Sequence, residues 1–336
     1  MRVGLPHPLQ SAAALAAAVP PPPASSLPAT WTVLDVVRWT TARFTERTLA
    51  SPRLDAELLI GHVLGLARVQ LYVQFERVLT PEELTSLREL IKRRQAGESV
   101  AYLVGHKEFW KFDFAVDARV LVPRPDTETL VEEAIARLGE PQPGQEEPQA
   151  EQGEPQADAA PKPAAPASPP PRIADVGTGS GALAVTLAKL RADAAVFASD
   201  VSAAALDVAR ANAERHAAAV TFVEGDLDAP LAAHAPFSLI VANLPYVASA
   251  DLSSLPPDVR SEPALALDGG ADGLDLVRRL VAAAPALLSP GGALALEIGA
   301  GQADATSALL RDAGFTDIQT RKDLAGIGRV VSGVKP

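Results

Sequence analysis

Two short stretches carry side chains suited to chemistry on a planar nitrogen group. The first is Val241-Ala242-Asn243-Leu244-Pro245-Tyr246-Val247. The apolar run Phe237-Ser238-Leu239-Ile240 leads into it, so a segment of strand length ends in a polar residue, a proline and an aromatic. In open α/β sheets, ligands bind beyond the carboxyl ends of the strands. Asn243 at such an end offers one acceptor oxygen and two donor hydrogens, which matches the edge of another amide or of an adenine amino group. Pro245 restrains the backbone around it, and Tyr246 supplies a flat face for a planar group. Asn and Pro are also common turn formers, and the tetrapeptide alone leaves both readings open.

The second stretch is Asp175-Val176-Gly177-Thr178-Gly179-Ser180-Gly181. Three alternating glycines let backbone approach a ligand closely, and a helix N-terminus follows. Gly177-x-Gly179-x-x-Ala182 satisfies the loose form of a dinucleotide fingerprint. Asp200, 23 residues beyond Gly177, ends the next strand, where a carboxylate can accept both ribose hydroxyls. Nicotinamide and S-adenosylmethionine enzymes both use that arrangement. A tight turn followed by a helix-start acid is the purely structural alternative. Two features favour S-adenosylmethionine. Asp226, in Gly225-Asp226-Leu227, follows the third strand and can meet an adenine, and the Asn243 loop follows the fourth. Amino-group methyltransferases hold a planar nitrogen with an Asn-x-Pro-aromatic loop, and hydride transfer has no use for one.

The elements that must position these residues follow from periodicity. After Arg172 the chain alternates strand and helix. Strands are expected at Ile173–Val176, Ala195–Ser199, Val220–Val223, Leu239–Val241, Ala293–Ile298, Asp317–Thr320 and Arg329–Ser332. Helices are expected near 180–190, 203–216, 272–288 and 302–313. This is the pattern of a doubly wound sheet. Two closing strands with no helix between them predict an antiparallel last strand. Upstream, Thr32 with Asp35 resembles a capping box and opens a helix with Leu34, Val37 and Phe44 on one face. Ser51-Pro52 opens a second helix, with Leu54, Leu58, Leu59 and Val63 on one face and Gly65 as its stop. Thr80-Pro81-Glu82-Glu83 opens a third, running to about Gln95 and ending at Gly97. Residues 31–100 thus read as a helical bundle. Residues 101–126 read as a connector, in which Phe109–Phe114 and Val120-Leu121-Val122 form a β-hairpin. A helix from about Thr127 to Leu138 opens the sheet domain, 127–336.

Composition sets the outer limits. The chain has 336 residues, enough for two domains with real cores. There are no cysteines, hence no disulfides and no thiolate metal sites, and five scattered histidines argue against a histidine metal cluster. No metal is expected. No apolar run approaches the roughly 20 residues needed to span a bilayer. The net charge of −11 is uneven. Residues 31–100 carry ten bases and nine acids, a near-neutral balance that weighs against gripping long nucleic acid through many phosphates. Residues 139–171 hold ten prolines among 33 residues and are expected to be a disordered insertion in an otherwise short connection. Residues 1–30 are Ala- and Pro-rich. Their apolar stretch, Ala12 to Val19, is short and mostly alanine, which favours a disordered extension over a signal peptide.

From about Ser51 to Lys335, residues 139–171 apart, the sequence resembles the release-factor glutamine methyltransferases, the HemK/PrmC family. The resemblance rests on Ser51-Pro52-Arg53-Leu54-Asp55-Ala56-Glu57-Leu58-Leu59, Ala101-Tyr102-Leu103-Val104-Gly105, Glu108-Phe109-Trp110, Pro123-Arg124-Pro125-Asp126-Thr127-Glu128, the glycine loop, Glu262-Pro263-Ala264-Leu265-Ala266-Leu267, Asp272-Gly273-Leu274-Asp275 and Leu296-Glu297-Ile298-Gly299. The glycine loop marks only a large superfamily, whereas the Arg124–Glu128 motif and the combination are specific.

The resemblance implies a class I S-adenosylmethionine-dependent fold: a Rossmann-like, seven-stranded, doubly wound sheet behind a substrate-recognising helical bundle. It implies that Gly177, Thr178, Gly179, Ser180, Gly181, Asp200, Leu227 and Asn243, with Asp226, hold S-adenosylmethionine. It implies that Asn243, Leu244, Pro245 and Tyr246 hold the target glutamine, with Asn243, Pro245 and Tyr246 catalytic. The implied protein substrate is a class-1 peptide chain release factor carrying Gly-Gly-Gln, met by a cytoplasmic monomer with no stable nucleic-acid or membrane partner. One departure stands out. The family loop usually reads Asn-Pro-Pro-Tyr, and Leu244 makes it Asn-Leu-Pro-Tyr, as in ribosomal RNA adenine dimethylases. An adenine in RNA or DNA is therefore an alternative substrate, and within the glutamine enzymes a ribosomal protein is another.

Overall fold

The computed structural model describes residues 30–139 and 169–336. The expected extension over 1–30 and insertion over 139–171 lie outside these residues, apart from their edges.

The first part is helical. Its elements are α1 (Val33–Glu46), α2 (Pro52–Leu64), α3 (Arg68–Val73), α4 (Pro81–Gln95) and α5 (Val100–Val104). Both capping boxes form: Thr32 accepts from the Asp35 N–H, and Thr80 from the Glu83 N–H. Gly65 ends α2 in the left-handed region, as its place in the sequence requires. The buried face of α1 is Val33, Val36, Thr40 and Phe44, one residue out of phase with the Leu34–Val37 stripe read from periodicity. On α2, Leu54 is exposed, while Asp55, Ala56 and Glu57 are buried with Leu59 and Ile60. The acids invert the expected pattern because each has cations. Arg53 and Arg68 reach Glu57, and the Arg94 guanidinium lies 2.8 Å from Asp55.

A short hairpin follows, with β1 (His106–Phe109) antiparallel to β2 (Phe112–Ala115). Its turn is Trp110-Lys111, so the hairpin is shorter than expected and Val120-Leu121-Val122 is not one of its strands. That segment instead packs Val120 and Val122 beside Ala101, Ala205 and Val208. The remaining elements are α6 (Glu128–Leu138), β3 (Arg172–Val176), α7 (Ala182–Leu190), β4 (Ala195–Asp200), α8 (Ala203–Arg215), β5 (Val220–Glu224), β6 (Phe237–Ala242), α9 (Pro257–Arg260), α10 (Asp275–Leu287), β7 (Leu288–Glu297), α11 (Ala303–Asp312), β8 (Thr316–Lys322) and β9 (Gly328–Val334).

The seven strands run in the order β5-β4-β3-β6-β7-β9-β8. β9 is antiparallel to both β7 and β8, and the other pairings are parallel. Alternate residues of the central strands enter two separate cores. Ala174, Val176, Ile240, Ala242, Leu294 and Leu296 pack with α10 and α11. Ile173, Leu239, Val241, Ala293 and Ala295 pack with α6 and α7. Strands covered on both faces read as unbroken apolar runs, which is why these short stretches were legible. Strand order reverses at β3, between β4 and β6, and that crevice is where such folds bind ligands.

Candidate active site

Register brings the site together. Val176 pairs with Ser199 on one side and Ala242 on the other, and Ala242 pairs with Leu296. The next residue on each strand therefore lies in one row at the carboxyl edge of the sheet: Asp200, Gly177, Asn243 and Glu297.

The glycine loop is held from below. Asp175 is fully buried, and its Oδ2 accepts the Thr178 hydroxyl at 2.6 Å and the Ala184 N–H at 3.1 Å. Burial pushes its pKa up to about 7, against the pull of Thr178. The N–H groups of Gly177 and Thr178 donate to Ser199 O. Gly177, Gly179 and Gly181 all have positive φ, and a Cβ at Gly177 would lie 3.1 Å from Leu244 Cδ2. Glycine thus lets the loop turn while the Asn243 loop packs against it. Asn212 of α8 secures the far side, donating to Ser180 O and exchanging two hydrogen bonds with Ala115 of the hairpin.

A cavity of about 520 Å³ opens above this row. Gly177, Thr178, Gly179, Ser180, Asp200, Asp226, Leu227, Asn243, Leu244 and Pro245 all line it, while Gly181 lies behind, packed on Ala209. Asp200 accepts the N–H groups of Gly179 and Ser202, one on each oxygen, and both oxygens keep lone pairs for hydroxyl donors. Leu227 sits at positive φ, two residues after Gly225, where a Cβ on the glycine would press on Pro230. Asp226 forms an ion pair with Arg279 across the mouth, an interaction absent from the sequence reading. Apolar walls, a glycine floor and a paired-hydroxyl acceptor fit a nucleoside bearing a sulfonium side chain.

A second cavity of about 310 Å³ adjoins the first. The two share Leu121, Arg124, Asn243, Leu244 and Ala266, and Tyr246 lines only the second. Tyr246 is anchored through its carbonyl, which accepts Gln302 Nε2 at 3.1 Å. Burial raises its phenol pKa, so it stays neutral. Asn243 Nδ2 donates to Thr127 Oγ1 at 3.1 Å, which leaves its Oδ1 for a ligand. Arg124 pairs with the buried Glu262, whose other oxygen accepts the Val122 N–H at 3.0 Å. Sequence reasoning placed Thr127 only at a helix start and gave Glu262 and Glu297 no individual part. Their spacing carries no local signal, because all three act across elements.

Two family models match: the PrmC N-terminal domain over residues 35–105 and the Methyltransferase small domain over residues 165–255. The release factor glutamine methyltransferase of Geobacter sulfurreducens is 43% identical over 91% of this chain and 98% of its own. That of Chlorobaculum tepidum is 41% identical over 90% and 97%. The chain belongs to the release factor glutamine methyltransferase family. Like its family, it is an S-adenosylmethionine-dependent methyltransferase. The Rhodopirellula baltica member is 37% identical over 90% of this chain and 96% of its own, so the helical part and the sheet domain are both within the shared length.

Proposed function

We propose that this methyltransferase transfers a methyl group to the side-chain nitrogen of the glutamine in the Gly-Gly-Gln motif of class-1 peptide chain release factors. The observation that carries the reading is the junction of two cavities at Asn243, one suited to S-adenosylmethionine and the other to a slender amide side chain. The names of the relatives support the same substrate.

A carboxamide nitrogen is a weak nucleophile, because its lone pair is delocalised into the carbonyl. Asn243 Oδ1 and the carbonyl oxygen of Leu244 act as acceptors for its two hydrogens. That arrangement shifts electron density onto nitrogen and fixes its direction of attack. Pro245 holds the loop, and Tyr246 lies against the amide plane. When bound, S-adenosylmethionine supplies an electrophilic methyl group on sulfur. Gly177 to Ser180, Asp200, Asp226 and Leu227 would hold it, with Gly181 turning the loop behind them. Transfer of that methyl would form the N–C bond as the S–C bond broke, and the cationic amide would then give one proton to water. The acceptor at position 244 is a backbone carbonyl, so leucine preserves it where the family usually has proline.

The test is transfer of labelled methyl from S-adenosylmethionine by the purified enzyme. Release factor, ribosomal protein and RNA are offered separately. Label should enter the release factor. Label in RNA with an unmodified release factor would transfer the chain to the adenine reading.

A further inference from the structure

Asn243 can serve as an acceptor only if its amide is the right way round, and one hydrogen bond decides that. Thr127 Oγ1 accepts from Asn243 Nδ2. If the Thr127 hydroxyl instead donated to Asn243 Oδ1, the amide would be turned over. It would then present N–H donors to the N–H donors of the target. A hydroxyl has a single hydrogen, so its other neighbour determines which way it points.

That neighbour is Glu297, the last residue of β7, whose buried carboxylate is close enough to the Thr127 hydroxyl to be stabilised by it. Ala242 pairs with Leu296, so Glu297 follows the same rung as Asn243 on the adjacent strand. Its side chain is 1% exposed, and neither carboxylate oxygen has a hydrogen-bond partner of good geometry. An ionised carboxylate accepts and cannot donate. A buried one without donors is costly, so it draws the Thr127 hydrogen.

We propose that the Glu297 carboxylate, acting through the Thr127 hydroxyl, fixes the orientation of the Asn243 amide so that Oδ1 faces the target nitrogen. Glu297 and Thr127 are positioning residues for the reaction. The proposal rests on the reading of Asn243 as the acceptor of the target's hydrogens.

The arrangement makes the site sensitive to pH. Burial is the dominant influence on Glu297 and pushes its pKa up to about 7. The Thr127 hydroxyl and the Arg329 and Arg124 guanidiniums pull it down, and the Asp126 carboxylate pushes it up. Arg329 is itself shared with Asp126 and Asp323, which blunts its hold on Glu297. The Tyr246 phenol, neutral at these pH values, is the remaining titratable group near it. Above about pH 7 the carboxylate is ionised and Thr127 must donate to it. Below, the neutral acid can donate to Thr127 Oγ1, and the hydroxyl hydrogen is released toward Asn243 Oδ1. The productive orientation therefore belongs to the high-pH form.

Two measurements on the full-length enzyme test this. The first needs no acceptor. The Asn243 side-chain NH₂ resonances, assigned by their loss in Asn243→Ala, should shift with a midpoint near about 7, the pKa of Glu297. The shift should vanish in Glu297→Gln. The second is single-turnover methylation of release factor. The wild-type rate should rise roughly tenfold between about pH 6 and 8, as expected for one ionisation centred between them. At saturating S-adenosylmethionine, which keeps titration of Asp175 beneath the glycine loop out of the rate, it should be flat in Glu297→Gln. Thr127→Val should lower the plateau by about tenfold or more, and Thr127→Ser should restore both plateau and pH dependence, as fits loss and return of one positioned hydrogen bond. Resonances that do not titrate in the wild type would overturn the proposal, as would a Thr127→Val enzyme at the wild-type plateau rate. A wild-type enzyme with titrating resonances but no methylated release factor at any pH would leave the Glu297 device standing and refute the substrate reading.

Discussion

At Asn243, side-chain and backbone contributions separate cleanly. Asn243→Ala removes an acceptor aimed at the reacting amide, and turnover should fall by roughly two to three decades, the usual loss of a positioned polar group. Leu244→Pro keeps the carbonyl, so turnover should stay within about threefold, far from the loss of a positioned group. Its cost belongs to stability. The Leu244 side chain is 4% exposed and packs on Gly177, and trimming a buried leucine costs about 2 kcal/mol or more. Turnover at saturating acceptor and urea midpoints measured together separate the two effects. A large drop in turnover for Leu244→Pro with unchanged stability would mean that the side chain, and not the carbonyl, meets the substrate. Residue types and spacing singled out Asn243, Asp200 and the glycines as candidates, and strand register sets Asp200, Gly177 and Asn243 in one row. Thr127 and Glu297 were invisible at this scale. Neither touches Asn243 through sequence, and a lone glutamate in Leu296-Glu297-Ile298 reads as a strand residue until β7 is laid beside β6.

Among the elements, the join between the helical bundle and the sheet domain is made by a buried arginine and a close glycine contact. Arg94 of α4 is 3% exposed and spans both parts. It reaches Asp55 of α2 at 2.8 Å, Glu98 O at 3.1 Å and Asp258 of α9 at 3.1 Å. Gly97 packs against Pro257 so closely that a Cβ would meet it at 2.9 Å. Arg94→Met leaves Asp55 buried without its cation and should lower stability by about 3–5 kcal/mol. Asp258→Ala removes only the half-exposed arm and should cost about 0–1 kcal/mol. Urea unfolding of the two variants checks this, and equal losses would place the value of the join at Asp258. Periodicity located the strands of the large sheet and the longer helices, passed over the short helices α3, α5 and α9, and misjudged two faces. It put Leu54 inside and the acids Asp55 and Glu57 outside, because hydrophobicity has no means of anticipating that Arg94, Arg53 and Arg68 come from elsewhere to meet them. The hairpin was overextended for a similar reason. Val120 and Val122 are apolar because they pack against α8, not because they pair as a strand.

Across the whole molecule, parallel register accounts for the site. It sets the ends of β4, β3, β6 and β7 in one row and so assembles two cavities, the second the smaller, that meet at Asn243. No described helix is long and apolar enough to cross a membrane. The proposed geometry puts the nitrogen of a glutamine, one methylene beyond that of an asparagine, at that junction. Peptide mass spectrometry of a class-1 release factor, after incubation with enzyme and S-adenosylmethionine, tests it most directly. One added methyl should be found on the glutamine of Gly-Gly-Gln and nowhere else. Changing that glutamine to asparagine withdraws the nitrogen by one methylene, more than an ångström, and a misplacement of that size costs about a hundredfold. Transfer should almost stop. An asparagine variant methylated as readily as the glutamine factor would contradict the proposed geometry.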